Sequence, residues 1–189
     1  MRLFIGIPLA AVVMEELSAI VRRQRRNEDG LRWTAPESWH ITLQFLGDTG
    51  AEQYQCLAAR LGEVRSPPVS IQLADLGFFE RTGIFFAGVE VSPQLLSMQQ
   101  MVATAASWCG FLPETRTFHP HITLARSKGQ KRGHGSGIRG QSGLREQRAK
   151  VEAQHRFTRF AAQEFNLCES FLGLGGSRYE IRQSFPLNE

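Results

Sequence analysis

The sequence contains the tetrapeptide His-Ile-Thr-Leu twice, at residues 40–43 and again at residues 121–124. Each copy alternates a polar with an apolar residue, which is the period of a strand with one buried face. Side chains two residues apart on a strand point to the same face, so each copy places an imidazole beside a hydroxyl. The Ile and Leu side chains point the other way, towards a core. The repeat therefore predicts two strands that present the same pair of polar groups.

A single His-x-Thr on a strand would mean little, because Thr favours strands and His is tolerated on an exposed strand face. Two copies that agree in all four residues, in a chain with only five histidines, are harder to explain by chance. They also fall at corresponding places in two similar halves of the chain. We therefore interpret His40 and His121 as a catalytic pair rather than as two structural histidines.

The order of predicted elements is similar in the two halves, each of which has a helix before its motif strand. Apolar spacing predicts helices after Pro8, over residues 52–64 and over residues 95–108. Besides the second motif strand, strands are predicted over residues 2–7, 31–33, 40–46, 69–73, 77–80, 84–91, 164–172 and 179–186. We expect an α+β fold, bilobal, in which two pseudo-symmetric lobes of antiparallel sheet with helices enclose an active-site cleft.

Length and composition favour one globular unit. The chain has 189 residues, 42% of them hydrophobic, which is enough for a proper core. No apolar run reaches the length of a membrane span. The apolar run over residues 3–14 is interrupted by Pro8 and followed by two glutamates, so we interpret it as a strand leading into a helix rather than a signal peptide. We expect a single domain over residues 1–189, monomeric, cytoplasmic and not associated with a membrane.

Cysteine and histidine spacing suggests no metal site. The three cysteines, Cys56, Cys109 and Cys168, are odd in number and widely spaced, so we expect buried, reduced thiols. Pro120 separates His119 from the second motif, and no carboxylate or third ligand lies nearby in the sequence. We expect no metal and no cofactor, with His119 either in a structural role or supporting the catalytic residues without touching the substrate.

A basic segment over residues 127–150 departs from the rest of the chain. It is rich in Gly, Ser and Gln and carries seven basic residues against one acidic residue. Such a composition cannot bury enough apolar surface to order itself. The segment is either a flexible linker or a basic flap over a nucleic-acid substrate. The formal net charge of the chain, +4, suits a polyanionic partner.

The paired motifs carry the groups that phosphodiester chemistry needs. The ordinary pKa of histidine lies near neutrality, so one imidazole can accept a proton from the attacking hydroxyl or water while the other protonates the leaving oxygen. Thr42 and Thr123 would hold non-bridging phosphate oxygens. Arg126, five residues after His121, either binds phosphate in a fork or is a plain surface charge. Strict alternation points Arg126 away from His121, so phosphate binding requires a bulge.

The chain resembles the 2H phosphoesterases, and within them the LigT-like bacterial RNA 2′,3′-cyclic phosphodiesterases, also called 2′-5′ RNA ligases. The resemblance rests on the stretches RLFIGIP at 2–8, LRW at 31–33, WHITLQFLG at 39–47, FHPHITLAR at 118–126 and SRYE at 177–180. It implies a bilobal α+β fold, metal-independent attack on a 2′,3′-cyclic phosphate to leave a 2′-phosphate, and RNA ends or nucleoside 2′,3′-cyclic phosphates as partners.

The resemblance also implies individual roles. His40 would be the proton donor to the departing 3′ oxygen, His121 the proton acceptor from water, and Arg126 a phosphate or base contact. Phe45, at the matching offset from His40, either stacks on a nucleobase or is a core aromatic. Two other functions stay open: RNA ligation through a 2′-5′ linkage, which is the same chemistry reversed, and a non-catalytic RNA- or nucleotide-binding module. Intact His and Thr in both motifs argue against the module.

Overall fold

The computed structural model describes residues 1–25, 29–128, 156–173 and 176–188. Its α-helices are Ala11–Gln24 (α1), Ala51–Gly62 (α2) and Pro93–Trp108 (α3), and Pro36–Ser38 forms a 3-10 turn. Its strands are Arg2–Pro8 (β1), Leu31–Trp33 (β2), His40–Asp48 (β3), Val69–Ile71 (β4), Leu73–Phe79 (β5), Ile84–Val89 (β6), His121–Ser127 (β7), Phe160–Ala162 (β8), Glu164–Gly173 (β9) and Gly176–Pro186 (β10).

Two four-stranded antiparallel sheets form the frame. The first has the strand order β10-β9-β1-β3 and the second β2-β7-β6-β5, while β4 and β8 pair separately. Each of the larger sheets contains one motif strand, and β3 contacts β7 where the sheets meet. The α+β fold class expected from the sequence, with antiparallel sheets and a cleft between them, is confirmed.

The buried faces follow the periodicity of the sequence. Helix α1 buries Val13, Leu17 and Ile20, which lie three to four residues apart and therefore share one helical face. In β7, Ile122 and Leu124 are fully buried, as their alternation with His121 and Thr123 predicted. The apolar faces of both sheets and of the helices belong to one hydrophobic cluster. The motif strands are thus held by a core that leaves their polar faces outside it.

Local signals fix both ends of α3, which leads into the second motif. The hydroxyl of Ser92 accepts a hydrogen bond from the backbone N–H of Leu95 at 3.1 Å, and Pro93 occupies the first turn. After the helix, Gly110 adopts a φ of 84°, a left-handed conformation that glycine reaches at little cost. The chain then turns away from α3 and runs through residues 111–120 to β7.

The structure corrects several details of the predicted elements. Strand β8, which pairs with β4, was missed because its three residues have no readable alternation. Strand β3 extends to Asp48. The two strands predicted over residues 69–73 and 77–80 are β4 and β5, which divide at Gln72 and lie in different sheets. Most of the basic segment predicted over residues 127–150 lies outside the described residues. Its first members, Ser127 and Lys128, donate backbone hydrogen bonds to the carbonyls of Gly83 and Gly30.

The prediction of reduced thiols is wrong for two of the three cysteines. Cys56 in α2 and Cys109 at the end of α3 form a disulfide, with their Cα atoms 5.7 Å apart. Helices α2 and α3 pack against each other, and this approach in space is not encoded in the spacing along the sequence. Cys168 is a buried free thiol, as expected, and burial raises its pKa to about 12. None of the helices in the described ranges has the length and apolarity needed to cross a membrane.

Candidate active site

The two motif strands carry a bulge at the same position. Between β3 and β1 the register shifts where the chain passes from Thr42 to Gln44, and between β7 and β6 it shifts from Thr123 to Ala125. In each strand a leucine is the extra residue, so two consecutive side chains are buried there. A bulge of this kind reverses the alternation of the residues that follow it.

The residue five positions after each histidine therefore returns to the face on which the histidine lies. Arg126 lines the same cleft as His121, so the bulge that its proposed role required is present. Phe45 lines the same cleft as His40 and is 69% exposed. The alternative that Phe45 is a core aromatic is wrong, since a core residue would be buried.

His40 is oriented by a backbone carbonyl and by aromatic rings. Its Nδ1 lies 2.8 Å from the carbonyl oxygen of Ser38, which can only accept, so Nδ1 carries the proton and Nε2 is left for chemistry. The ring stacks on Phe4 with centroids 4.5 Å apart and meets the edge of Tyr179 at 5.0 Å. A Cβ on Gly6 would lie 3.2 Å from the His40 ring, so the glycine gives the imidazole room to lie over β1.

His121 is held in the same manner. Its Nδ1 lies 2.7 Å from the carbonyl oxygen of His119, again two residues earlier, and donates to it. Its ring packs against Phe79 and Phe86, with centroids 5.0 Å and 5.5 Å away. The two motifs thus fix the same tautomer with the same local hydrogen bond, each against an aromatic wall.

Burial makes both imidazoles weak bases. It lowers the pKa of His40 to about 4, and the hydrogen bond to the Ser38 carbonyl only partly opposes this effect. The charges of His121 and Arg126 lower the His40 pKa further. Burial also lowers the pKa of His121, again partly opposed by its backbone hydrogen bond, with smaller contributions from Arg126 and His119. Without a bound anion, both rings are therefore predominantly neutral at pH 7.

All six residues predicted from the sequence line one cleft of about 1200 Å³: His40, Thr42, Phe45, His121, Thr123 and Arg126. Within the described ranges, neither threonine hydroxyl has a hydrogen-bond partner, and Arg126 has no ion-pair partner. The cleft therefore presents two neutral imidazoles, two unengaged hydroxyls and a guanidinium. These groups are suited to a phosphodiester, an anion whose cleavage takes a proton from the attacking water and gives one to the leaving oxygen.

A family model decides the relationship. The model of the 2′-5′ RNA ligase superfamily matches residues 12–161. The chain belongs to this superfamily. The resemblance found in the sequence is thereby confirmed.

Named relatives agree with the family model. The chain is 33% identical over 126 residues to the RNA 2′,3′-cyclic phosphodiesterase of Escherichia coli K12, covering 66% of this chain and 71% of that protein. It is 36% identical over 128 residues to the protein of the same name from Geobacillus stearothermophilus, covering 65% of this chain and 41% of that protein. The crystal structure of E. coli LigT complexed with 3′-AMP superposes with a TM-score of 0.76 at 27% identity, covering all of this chain and 98% of that one.

In this superfamily member, two side chains missed by the sequence reasoning support the motifs. The Thr34 hydroxyl lies 2.8 Å from the carbonyl oxygens of Thr123 and Leu124, and it accepts a hydrogen bond from the Trp39 indole at 2.9 Å. It thereby ties the segment before His40 to the second motif strand. Tyr179 reaches the His40 ring from β10. Neither role had a local signal, because each depends on strands that meet only in the folded chain.

The cleft has three walls. Two are formed by the motif strands β3 and β7. The third wall is formed by α3 and by the segment that follows this helix, and it includes Leu96, Leu112 and Phe118. His119 also lines the cleft, where its carbonyl holds His121. Among the described residues, no three His, Cys, Asp or Glu side chains are placed to share a metal ion. The expectation of metal-independent chemistry stays a prediction.

Proposed function

We propose that the protein hydrolyses the 2′,3′-cyclic phosphate ends of RNA to 2′-phosphates, with His40 and His121 as proton donor and proton acceptor. The observation that carries the proposal is the matched pair of imidazoles in one cleft, each with Nδ1 bound to a backbone carbonyl and Nε2 left unengaged. Two relatives named RNA 2′,3′-cyclic phosphodiesterase and a LigT structure complexed with 3′-AMP support the same substrate class.

The proposed reaction is an in-line displacement at phosphorus. Nε2 of His121 accepts a proton from a water molecule as its oxygen bonds to the phosphorus atom. The bond from phosphorus to the 3′ oxygen breaks, and Nε2 of His40 gives that oxygen its proton. The 2′ oxygen stays bound, so the product is a 2′-phosphate.

His40 must gain its proton together with the substrate. With a pKa of about 4, only about a thousandth of the His40 rings are protonated at pH 7 in the absence of an anion. A cyclic phosphate carries a negative charge that favours the imidazolium and raises this pKa when it binds. The substrate thus supplies the charge that prepares its own proton donor, and an uncharged molecule would leave His40 neutral.

The remaining predicted residues bind the substrate in this proposal. Thr42 and Thr123 donate hydrogen bonds to the non-bridging phosphate oxygens, whose negative charge grows in the transition state. Arg126 supplies a fork of N–H donors to the same phosphate. Phe45 stacks on the terminal nucleobase, for which its exposed ring offers a flat apolar surface.

We propose a monomer acting on RNA in the cytoplasm, as the sequence suggested. In a reducing cytoplasm Cys56 and Cys109 would be held mostly as thiols, because disulfides seldom persist there, so the bond belongs to the oxidised form of the protein. Ligation would run the same acid–base pair in reverse, so the direction depends on which ends the protein meets.

Incubation with a nucleoside 2′,3′-cyclic phosphate in excess chelator tests the proposal. We expect the nucleoside 2′-phosphate as product, separated chromatographically from the 3′ isomer, and turnover by His40→Ala that is slower by about 100-fold or more. A 3′-phosphate product would contradict the assigned leaving group. Activity that is lost in chelator and restored by a divalent cation would contradict the metal-independent mechanism. Adding an RNA with a free 5′-hydroxyl to the same reaction would reveal any 2′-5′ ligation.

A further inference from the structure

Three large apolar side chains are exposed to solvent within the cleft. Phe45 is 69% exposed, Leu96 36% and Leu112 88%, and all three line it. Large apolar groups left accessible in a concave site indicate a ligand that covers them. We refer to Phe45, Leu96 and Leu112 as the apolar strip.

The apolar strip extends from the first motif strand onto the third wall. Phe45 lies on β3, Leu96 lies in the N-terminal half of α3, and Leu112 follows the end of that helix. Helix α3 packs against β3, so the strip crosses from one element to its neighbour. The cleft volume of about 1200 Å³ exceeds the roughly 300–1,000 Å³ typical of small-ligand sites. A single nucleotide would therefore leave part of this cleft unfilled.

Charge on the cleft completes the pattern. Arg81 and Arg126 line the cleft, while Arg116, which also lines it, is paired with Glu114. Positive charge therefore lies opposite the apolar strip, on the wall that contains β7 and the turn between β5 and β6. Apolar surface for base faces combined with cations for phosphates is the composition of a single-stranded RNA groove.

We infer that Leu96 and Leu112, the part of the apolar strip on the third wall, form a binding site for the nucleoside that precedes the terminal nucleotide. Phe45 takes the terminal base, and Leu96 and Leu112 take the base before it. Arg81 and Arg126 contact the phosphates. This inference rests on the proposed function, since it places a second nucleotide relative to the scissile phosphate.

The test compares a cyclic mononucleotide with a diribonucleotide that ends in a 2′,3′-cyclic phosphate. For the wild type, we expect kcat/KM to be at least about tenfold higher on the diribonucleotide. Leu96→Ser with Leu112→Ser should lower kcat/KM about tenfold on the diribonucleotide and by less than about twofold on the mononucleotide. Ile181→Ser is the matched control, because Ile181 is 60% exposed on β10 and does not line the cleft. This variant should match the wild type on both substrates.

Equal losses of the double variant on both substrates, or no loss on the diribonucleotide, would overturn the inference. Turnover of the mononucleotide tests the proposed function alone, because the mononucleotide has no second nucleotide to bind. Failure of the proposed function would therefore be distinguished from failure of this inference. Binding provides a readout without catalysis: the Kd of a diribonucleotide ending in a 2′-phosphate, measured by titration calorimetry. The Kd should rise about tenfold in the double variant, and an unchanged Kd would also refute the assignment.

Discussion

Phe45 and Arg126 occupy the same position in the two motif strands, each five residues after its histidine and just beyond a bulge. Both side chains line the cleft, but one is aromatic and the other is a guanidinium. At this position the two motifs therefore share the same backbone bulge but carry side chains of different chemistry. A symmetric cleft would bind a symmetric ligand, whereas a cyclic nucleotide has a base on one side and a phosphate on the other.

This difference assigns an orientation to the substrate. The aromatic side suits the nucleobase and the guanidinium suits the phosphate oxygens, so the departing 3′ oxygen would face a defined histidine. The two imidazoles, equivalent in their local hydrogen bonds, would then take opposite roles because the ligand binds in only one direction. The proposed assignment of His40 as donor and His121 as acceptor depends on this asymmetry.

Replacing either histidine should abolish most activity. We expect His40→Ala and His121→Ala each to lower kcat on a cyclic mononucleotide by about 100-fold or more, since each removes a proton-transfer group. Circular dichroism should show a native fold for both. His119→Ala removes an imidazole from the same cleft but keeps the carbonyl that holds His121, so it should cost far less. Near-wild-type kcat in either motif variant would refute the paired mechanism.

The lowered histidine pKa values predict an acidic optimum for kcat/KM. Catalysis needs one imidazole protonated and the other neutral, and kcat/KM reports the ionisation of the free enzyme. Burial lowers the pKa of His40 to about 4 and that of His121 below its ordinary 6.5. The pair therefore carries one proton mainly between its two lowered pKa values, both of them below 6.5, and this form declines at higher pH. We expect kcat/KM to peak below pH 6.5.

The kcat profile should lie at higher pH than that of kcat/KM. It reports the substrate complex, in which the bound phosphate favours the imidazolium and raises the histidine pKa. Both profiles can be measured from pH 3.5 to pH 9 with one chromogenic or chromatographic assay. A kcat/KM maximum above pH 8 would show that burial does not control these ionisations.

The sequence predicted the residues of the two motifs better than it predicted the contacts from distant segments that hold those motifs in place. The period-two pattern around His40 and His121 is local, so both strands and the face of each histidine could be predicted from the repeat. The sequence also showed that Arg126 could reach the phosphate only if a bulge preceded it, because strict alternation would point its side chain away from His121. Thr34 and Tyr179 could not be predicted, since they reach the motifs from segments that are close only in the folded chain.

The third wall was missed for a related reason. The segment that carries Leu112 has no strand or helix periodicity, so nothing in the sequence predicted that it borders the cleft. The disulfide between Cys56 and Cys109 depends on how α2 packs against α3, which cysteine spacing does not encode. Patterns within an element were thus readable, while contacts between distant elements were not.

Arg126 should contribute both charge and geometry. Arg126→Ala should lower kcat/KM by roughly 1.5–3 kcal/mol of transition-state binding, about tenfold to 100-fold, as expected for a hydrogen bond to a charged group. Arg126→Lys keeps the charge but loses the planar fork, so it should recover only part of the loss. Arg22→Ala, at the end of α1 and away from the cleft, is the control. Full activity in Arg126→Lys would indicate that charge alone suffices.

Reduction of the disulfide should destabilise the fold. The bond between Cys56 and Cys109 closes a loop with a sequence separation of 53, for which chain entropy predicts about 4 kcal/mol as an upper estimate. Dithiothreitol should therefore lower the free energy of unfolding measured in urea. The double variant Cys56→Ser, Cys109→Ser should show the same reduced value with or without the reductant. A wild-type unfolding curve that does not respond to reductant, with the bond shown by mass spectrometry to be reduced, would contradict the prediction.

The polar atoms of Gln44 should be dispensable for stability. Its buried amide has no partner among the described residues, and an unsatisfied buried polar group costs about 1–3 kcal/mol. Gln44→Met keeps a side chain of similar length without the polar atoms, so the free energy of unfolding should stay the same or rise.

Gln44→Ala separates volume from polarity, because it also leaves a cavity and should be less stable than Gln44→Met. Urea unfolding of the three proteins gives the comparison. A loss of more than about 1 kcal/mol in Gln44→Met would show instead that the amide is paired within the folded protein.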